Sequence, residues 1–598
     1  MALGIALIAC AFALARDNDR WVNLPYWSGQ LLLVLAPGWL FLRRRLSPSD
    51  TLVAAALTSA STFIVVQCYG PVQFRFLDEF IHFQTATTIL TTHHLFGLNT
   101  ALPVSEQYPG LEIVTTALVL LSHLSIYAAG TIIIGSAHVL IAMGICLLAL
   151  EVTKRPMVAG LATLIYCTGP QFAFFDSYFL YEVLALALLI AALLATVRML
   201  NASRRSTATA WASVTVGLGL ATVITHHATT FALIAFLLCL QIGHLATPRR
   251  TRAFSWHLPV ALAVITLLAL AWNFTVAKGT LPYLEGYFRP VIRQLTKTTS
   301  PPHSPPTLPS PGLVIAGANT PTPPPFDRYF EYAADLALLI LTLIGVHRAW
   351  RRRNGPRGRL FLSFAFGAST IALLFLVRVI APDGSELSSR LSAYVWIPLA
   401  VVVAVSLRAL RSSSSSARHR ATFRRALVDF LLLLLLGVIG VGGVTGGWPA
   451  YFARLPGPFR AEAWERSVDQ HNLLLSSWAQ FQLPPDYGVA SDWITTSMLA
   501  DLGRQAPAPG IGDLFLAPRV TQADLLAIRA QGYTYIVVDD RLANDLPAVG
   551  YYFTNDPLAG HYTHPLPIAR LTKFNSIPGV SRIFDDGTLQ VYDLQGSL

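Results

Sequence analysis

The sequence has 598 residues, of which 54% are hydrophobic and only 13% are charged, and its mean hydropathy is +0.52. Soluble domains carry about 25% charged residues, so this composition excludes a soluble globular enzyme. The net charge of +11 comes from basic clusters in short loops between apolar segments. No aromatic-interleaved basic face accompanies these clusters in the sequence, which disfavours a nucleic-acid partner.

Apolar runs recur from the N-terminus to about residue 446. Runs of about 17 to 25 residues are long enough to cross a bilayer as helices. We therefore predict a polytopic α-helical membrane protein with about 13 spans. They are expected at residues 1–15, 27–43, 51–69, 131–150, 158–175, 179–198, 209–226, 228–246, 257–275, 331–348, 360–380, 391–408 and 426–446.

The basic clusters predict the orientation of these spans, because Lys and Arg accumulate in cytoplasmic loops. With every cluster in the cytoplasm, the N-terminus lies inside, whereas the loops 70–110 and 277–330 and the C-terminal region lie outside. These inside and outside assignments agree with one another only if the short run Leu111–Tyr127, which contains Glu112, does not cross the membrane. We expect an interfacial or re-entrant segment there, in a multi-pass protein of the plasma (inner) membrane.

The proline density of the loop 277–330 predicts an extended surface excursion, with a lid over an outer cavity as the alternative. The five cysteines all lie in apolar runs without metal-ligand spacing, so neither a disulfide framework nor a zinc site is predicted.

The composition changes to that of a soluble domain at about Trp448, with 10 Lys and Arg against 15 Asp and Glu in residues 448–598. We therefore divide the chain into a transmembrane domain, 1–447, and a small extracytoplasmic α/β domain, 448–598. Strands are predicted at 487–492 and 533–540, since these short apolar runs end in polar residues.

Between these strands, the periodicity of Thr521–Gln531 predicts a helix, and residues 581–592 form a hairpin pattern with an Asp-Gly turn. The acids Asp492, Asp539 and Asp540 follow the predicted strands. We interpret them as turn and cap residues in preference to catalytic acids.

The loop after the third span concentrates acids in a sequence where acids are scarce. Asp78 and Glu79 are adjacent and lie among aromatic and aliphatic residues, which places them at the membrane surface. A partly desolvated carboxylate there is a candidate general base. If the segment is helical, Asp78 and His82 share a face while Glu79 points elsewhere. We therefore predict Asp78 as the base, with Glu79 in a supporting role; a solvated helix start is the alternative.

Cations at the outer membrane face are candidates for binding a phosphate. Arg378 ends one predicted span, and Arg390 and Tyr394 begin the next. A charge at the edge of a span is costly and is usually functional, although arginine can also extend to lipid headgroups. Lys278 is a weaker candidate.

Further polar residues lie in the loop 70–110 or at predicted outer ends of spans. We expect Glu106, Tyr108, His226 and His227, together with His82, to contact substrate. Metal binding by the histidine pair is disfavoured, because two adjacent rings cannot easily face one ion. The residues are Glu106, Tyr108, Asp176, Tyr178, Glu182, His226 and His227.

The acidic pair Asp78-Glu79 in the first outer loop is followed by Tyr108-Pro109-Gly110, many further spans and an outer α/β domain. This arrangement resembles the GT-C superfamily of membrane glycosyltransferases that use polyprenyl-phosphate sugars, in the style of its protein O-mannosyltransferase-like and aminoarabinose transferase-like members. In that superfamily the first acid of the loop motif deprotonates the acceptor, a role that maps onto Asp78. The loop has no Asp-x-Asp, so the resemblance favours a metal-independent mechanism without a cofactor.

The resemblance implies that a sugar is transferred, with inversion, from a polyprenyl-phosphate donor to a hydroxyl of an envelope glycan, lipid or protein. The protein would also contact membrane lipid. The rivals are a transporter or flippase and a non-catalytic scaffold. A transporter is expected to have ionisable sites near the midplane and an internal repeat. The acids here gather at the outer face instead. Arginine far exceeds lysine, which is typical of GC-rich genomes such as those of actinobacteria.

Overall fold

A computed structural model describes the chain except residues 18–19, 44, 246–255, 286–324, 352–355, 371–383, 414–420, 447–454, 486, 508–511 and 597–598. Within the described residues, nine helices are long and apolar enough to cross a membrane. The protein is thus a multi-pass α-helical membrane protein with a small C-terminal sheet, as the sequence predicts.

Fifteen helices precede the C-terminal region in the described chain. They are α1 Ala2–Arg16, α2 Asn23–Arg43, α3 Pro48–Gln67, α4 Leu77–Thr92, α5 Gly110–Ser122, α6 Ile126–Thr153, α7 Pro156–Cys167, α8 Tyr181–Leu200, α9 Arg205–Thr225, α10 His227–Leu245, α11 His257–Thr275, α12 Pro325–Arg351, α13 Pro356–Ser369, α14 Gly384–Ser413 and α15 Ala421–Thr445.

Each predicted span coincides with one of these helices, but three of the helices are shorter than an ordinary span. The short ones are α1, α7 and α13, and the predicted span 360–380 extends beyond the described residues. Helix α5 has 13 residues, about 20 Å of helix. That length agrees with a segment that does not cross the bilayer.

Helix α7 ends earlier than the predicted span 158–175. Its last residue is Cys167, and Gly169-Pro170 follows at once. Proline disfavours the helical conformation in the residue before it, which explains the early end. The chain then forms a buried loop with a 3₁₀ turn at Phe175–Ser177 before α8 begins. This correction places Asp176 in a loop inside the molecule.

Glycines allow neighbouring helices of the bundle to pack closely, because they have no side chain. Gly160 of α7 faces the Phe41 ring of α2, and no Cβ fits at this position without a shift of the ring. Small residues at helix contacts are typical of membrane bundles, since they allow van der Waals packing over long stretches.

One face of the bundle carries the basic clusters. Asp429, at the start of α15, accepts from Arg411 Nε at 2.7 Å and pairs with Arg43 Nε at 3.1 Å. An ion pair also joins the C-terminal ends of α6 and α8, where Arg198 Nε lies 3.5 Å from Glu151 Oε1. The N-termini of α8 and α14 are the opposite ends of these helices and therefore lie at the other face.

The C-terminal α/β region, residues 455–596, lies at that other face. Its helices are α16 Gln470–Gln482, α17 Trp493–Asp501, α18 Gly512–Leu516, α19 Gln522–Ala530 and α20 Ile568–Thr572. Its strands are β1 Gly488–Ala490, β2 Ala506–Pro507, β3 Tyr533–Asp539, β4 Ser581–Asp585 and β5 Leu589–Asp593, in the order β2-β1-β3-β5-β4.

The pairing of the strands explains this mixed sheet. β1 is parallel to β2 and β3, whereas β5 is antiparallel to β3 with Val537 opposite Val591. Alternate residues of β3 face two separate apolar cores, with Ile536 in one and Val537 in the other. The predicted strands, helix and hairpin are confirmed, and Thr521 is the N-cap of α19.

Candidate functional site

The first turn of α4 holds the predicted acidic pair, and Glu79 is committed to backbone donors. Its Oε2 accepts from the N–H groups of Arg75 and Phe76, each at 3.1 Å, and its Oε1 accepts from Phe179 N at 3.0 Å. Burial raises the pKa of Glu79 to about 7, against the lowering effect of these three donors. Glu79 therefore caps α4 and ties it to the loop before α8.

Asp78 has different surroundings from its neighbour. Its side chain is partly exposed, and within the described chain its carboxylate accepts no hydrogen bond and forms no ion pair. Four buried acids interact with it electrostatically: Glu79, Glu182, Glu465 and Asp501. Of this group, Asp78 is the acid whose carboxylate is open to solvent and to a ligand.

His82 does not pair with Asp78, although the two share α4. Its Nδ1 lies 2.6 Å from Glu112 Oε1, and both side chains are buried. The His82 ring packs on Tyr181, with 4.6 Å between ring centroids, and Tyr181 packs on His226 at 4.4 Å. His82 thus reaches the next group of site residues through an aromatic contact.

Glu106 and Tyr108 fasten the loop between α4 and α5. Glu106 Oε2 accepts from Asn99 N at 2.6 Å, and burial raises the pKa of this carboxyl. The Tyr108 hydroxyl lies 2.8 Å from Thr280 Oγ1, and its ring lies 5.3 Å from that of His227. Their predicted contact with substrate stays a prediction.

A second polar group joins the N-terminal parts of α8, α10 and α14. Tyr394 donates its hydroxyl to Glu182 Oε1 at 3.3 Å and lies 2.9 Å from Thr229 Oγ1. His226 Nδ1 lies 2.8 Å from the same threonine hydroxyl, and the His226 and His227 rings are 4.7 Å apart. The structure therefore brings together residues that are more than 160 positions apart in the sequence.

Arg390 adds a cation to this group. Its guanidinium lies 5.7 Å from the Phe175 ring centroid and interacts electrostatically with Glu182 and His227. The first turns of α8 and α10 lie here, and helix N-termini favour anions. The other predicted phosphate ligand, Arg378, lies outside the described residues, and Lys278 is exposed.

Asp176 is the least compensated acid of the site. Its side chain is fully buried, and neither carboxyl oxygen has a hydrogen-bond partner in the described chain. Burial raises the pKa of Asp176 well above its ordinary value, and the charge of Glu182 adds to this effect.

Among the described residues, no three His, Cys, Asp or Glu side chains form a group that could hold a metal ion.

Comparison with solved structures finds one with a similar fold. The oligosaccharyltransferase of Archaeoglobus fulgidus, solved in complex with Zn and sulfate, superposes with a TM-score of 0.55 and 14% identity, over 85% of this chain and 70% of that one. This chain therefore shares the fold of that oligosaccharyltransferase. ArnT from Cupriavidus metallidurans also aligns, at 13% identity, with TM-scores of 0.46 bound to undecaprenyl phosphate and 0.47 in the apo state. These alignments cover 91% and 94% of this chain and 97% and 99% of ArnT.

The chain belongs to DUF6541, a family of unknown function whose model matches residues 2–501. No curated protein matches the sequence. The matched residues include the whole acidic group around Asp78, up to Asp501 at the end of α17.

Three acids of the site escaped prediction from the sequence: Glu112, Glu465 and Asp501. Glu112 is an acid in the first turn of an otherwise apolar run, and that feature could have identified it. Glu465 and Asp501 are ordinary acids of a soluble region, and only the packing of this region on α4 brings them to Asp78.

Proposed function

We propose that this protein is a membrane glycosyltransferase that moves a sugar from a polyprenyl-phosphate donor to a hydroxyl acceptor at the extracytoplasmic face. The observation that carries the proposal is Asp78, whose partly exposed carboxylate has no described hydrogen-bond or ion-pair partner and lies among buried acids. The GT-C fold agrees with this function. The donor is already activated by its phosphate ester, so the proposal assigns no cofactor.

The proposed reaction is an inverting displacement. The Asp78 carboxylate takes the proton of the acceptor hydroxyl while the acceptor oxygen forms a bond to the anomeric carbon. The bond between that carbon and the phosphate oxygen breaks on the opposite side of the sugar, and polyprenyl phosphate leaves with the electron pair. Glu79 supports Asp78 by fixing the first turn of α4 through its three backbone hydrogen bonds.

The group around Arg390 is the proposed binding site of the leaving phosphate. A guanidinium suits this role, because it stays charged and offers several donors to phosphate oxygens. The N-termini of α8 and α10 add positive potential at the same place. Arg378 is proposed as a second cation, and His226, His227 and Tyr394 as hydrogen-bonding groups of the same site.

The orientation proposed from the basic clusters is supported by the way the helices pack. Arg43 and Arg411 meet at Asp429 on the face opposite the acidic group. This face is the cytoplasmic one in the proposal. The acidic group and the α/β region then lie outside the cell, where the α/β region binds or orients the acceptor.

The test compares the wild type with Asp78→Asn in purified membranes supplied with radiolabelled polyprenyl-phosphate mannose or arabinose and envelope acceptors. Loss of a general base lowers a rate about 10²- to 10⁴-fold. We expect the variant to lose transfer on that scale at equal expression. Asp513→Asn, which changes an exposed acid of the α/β region, is the matched control and should transfer like the wild type.

Equal transfer by the wild type and Asp78→Asn would remove Asp78 as the base. Movement of the intact lipid-linked sugar across vesicles, without transfer, would replace the enzyme with the flippase that the sequence left as a rival. A normal rate with Asp78→Asn and a reduced rate with Asp513→Asn would contradict the site itself.

A further inference from the structure

Two acids of the α/β region face the proposed base across the contact with α4. Glu465 lies in a 3₁₀ turn, Trp464–Arg466, and Asp501 is the last residue of α17. Both interact electrostatically with Asp78, and Glu465 also interacts with Glu79. The α/β region therefore contributes carboxyl groups to the space beside Asp78.

Defined hydrogen bonds fix the α/β region against α4 and its loop. Thr100 Oγ1 donates to Ala500 O at 3.2 Å, one residue before Asp501. Arg75 donates to Val468 O at 3.3 Å, three residues after Glu465. Arg504 adds a contact to Thr88 Oγ1 at 3.4 Å. Contacts on both sides of Asp501 and one contact three residues after Glu465 thus set the positions of the two acids relative to α4.

Both acids keep an unused acceptor in the interior. The exposed fractions of Glu465 and Asp501 are 6% and 2%, and Glu465 Oε2 and Asp501 Oδ1 have no hydrogen-bond partner within the described chain. A buried acceptor without a donor costs about 1 to 3 kcal/mol, so proteins rarely retain one without a reason. Two such atoms beside a third, open carboxylate indicate a place where a ligand supplies donors.

We propose that Glu465 and Asp501 bind neighbouring hydroxyls of the acceptor and that the acceptor is therefore a carbohydrate. This inference rests on the proposed function. A serine or threonine side chain offers one hydroxyl, which Asp78 alone accommodates, whereas a sugar ring offers several adjacent hydroxyls to several carboxyl groups. Hydrogen bonds to such convergent polar groups orient a small ligand in its pocket.

The protonation of the two acids agrees with this role. Burial raises the pKa of Glu465 and of Asp501 well above the ordinary value, and the charge of Asp78 raises both further. Protonated carboxyl groups both donate and accept, as sugar hydroxyls do.

The test uses the full chain in nanodiscs and the variants Glu465→Leu and Asp501→Leu. Removing a hydrogen bond to a bound ligand weakens binding about tenfold. We expect each variant to raise the KM for an octyl glycoside acceptor about tenfold, with the KM for the polyprenyl-phosphate sugar unchanged. Glu465→Gln and Asp501→Asn should restore much of the affinity, because the amides keep a donor and an acceptor.

Thermal unfolding separates ligand binding from a structural role. Since Asp501→Leu removes no described side-chain hydrogen bond and Glu465→Leu removes only the contact of that carboxyl with its own backbone, we expect both variants to melt close to the wild-type temperature. Asp540→Asn is the control, because its carboxylate accepts from Gln590 at 2.9 Å and the variant should leave both KM values unchanged. Unchanged acceptor KM in both leucine variants, or transfer to a serine peptide but to no glycoside, would overturn the inference.

Direct binding keeps this test distinct from that of the proposed function. Saturation-transfer NMR with methyl glycosides measures whether wild-type protein binds the sugar and whether the double leucine variant loses it. Binding that depends on Glu465 and Asp501 without any transfer would retain the carbohydrate site and remove the transferase. Transfer to glycosides, with the double variant binding the sugar as well as the wild type does, would retain the transferase and remove Glu465 and Asp501 as the carbohydrate site.

Discussion

Asp78 and Glu79 are neighbours in the sequence, yet their carboxylates have opposite surroundings. Glu79 faces inward and uses both oxygens on backbone donors, whereas Asp78, about 100° around the helix, faces the open space beside the α/β region. The helical period thus separates the acid that caps the helix from the proposed base within one turn. That separation was predictable from the sequence, because it needs only the helix and its direction.

Glu79 makes the stability of the protein depend on pH. Its pKa is about 7 in the folded protein, above the ordinary value of 4.5, so the folded state binds a proton more tightly than the unfolded state. Stability from this group is complete below pH 4.5 and falls as pH rises to 7, by about 3 kcal/mol in total. We expect the melting temperature in detergent to fall between pH 5 and pH 8.

Glu79→Gln is the variant that checks the source of this dependence. A glutamine does not ionise, so the melting temperature of Glu79→Gln should change less between pH 5 and pH 8. The variant should also be less stable than the wild type at pH 5, because its amide N–H₂ meets a backbone donor. An equal slope in the two proteins would contradict the assignment.

The loop between α4 and α5 shows how an element without regular structure can hold the site. Asn99 is buried and donates to Ile81 O and Thr85 Oγ1, each at 3.0 Å, while its Oδ1 accepts from Ala101 N and Leu102 N. The loop is thereby attached to α4, and α5 follows with Glu112 facing His82. The sequence predicted the loop and its acid Glu106 but not the role of Asn99. Neither composition nor hydrophobic periodicity distinguishes a single asparagine in a polar loop.

Asn99→Ala should therefore destabilise the site more than a substitution in an ordinary loop. It leaves the partly buried backbone N–H groups of Ala101 and Leu102 without their side-chain acceptor, which costs about 2 kcal/mol. We expect a lower melting temperature and a loss of transfer that follows the loss of folded protein. Asn544→Ala, at an exposed position, is the control. A melting temperature equal to that of the control would contradict this role.

The distance between cooperating residues limits how much of the site could be predicted. Helices were predictable because hydrophobic runs are local, and the hairpin at Asp586-Gly587 followed from its turn residues. Helix ends were less predictable, as α7 shows. The pairing of His82 with Glu112 and the approach of Asp501 to Asp78 depend on long-range packing. Such contacts are fixed by which helices neighbour one another, and no pattern within one segment encodes them.

The whole molecule is polarised between a basic face and an acidic face. Arg43, Arg411 and Asp429 lie at one end of the helices, and Asp78 with its buried acids lies at the other, beneath the α/β region. From this charge distribution we predict that the basic face lies in the cytoplasm. The donor phosphate and the acceptor then meet outside the cell, which the proposed reaction requires.

Labelling of single cysteines tests this orientation directly. In a variant without the five native cysteines, Asp513→Cys places a thiol on the α/β region and Thr207→Cys places one at the start of α9, and both positions are exposed. In intact cells a membrane-impermeant maleimide should label Asp513→Cys at once but Thr207→Cys only after permeabilisation. The reverse pattern would place the acidic group in the cytoplasm, where a nucleotide-linked donor becomes the chemically expected substrate, and would overturn the proposed use of a lipid-linked sugar at the outer face.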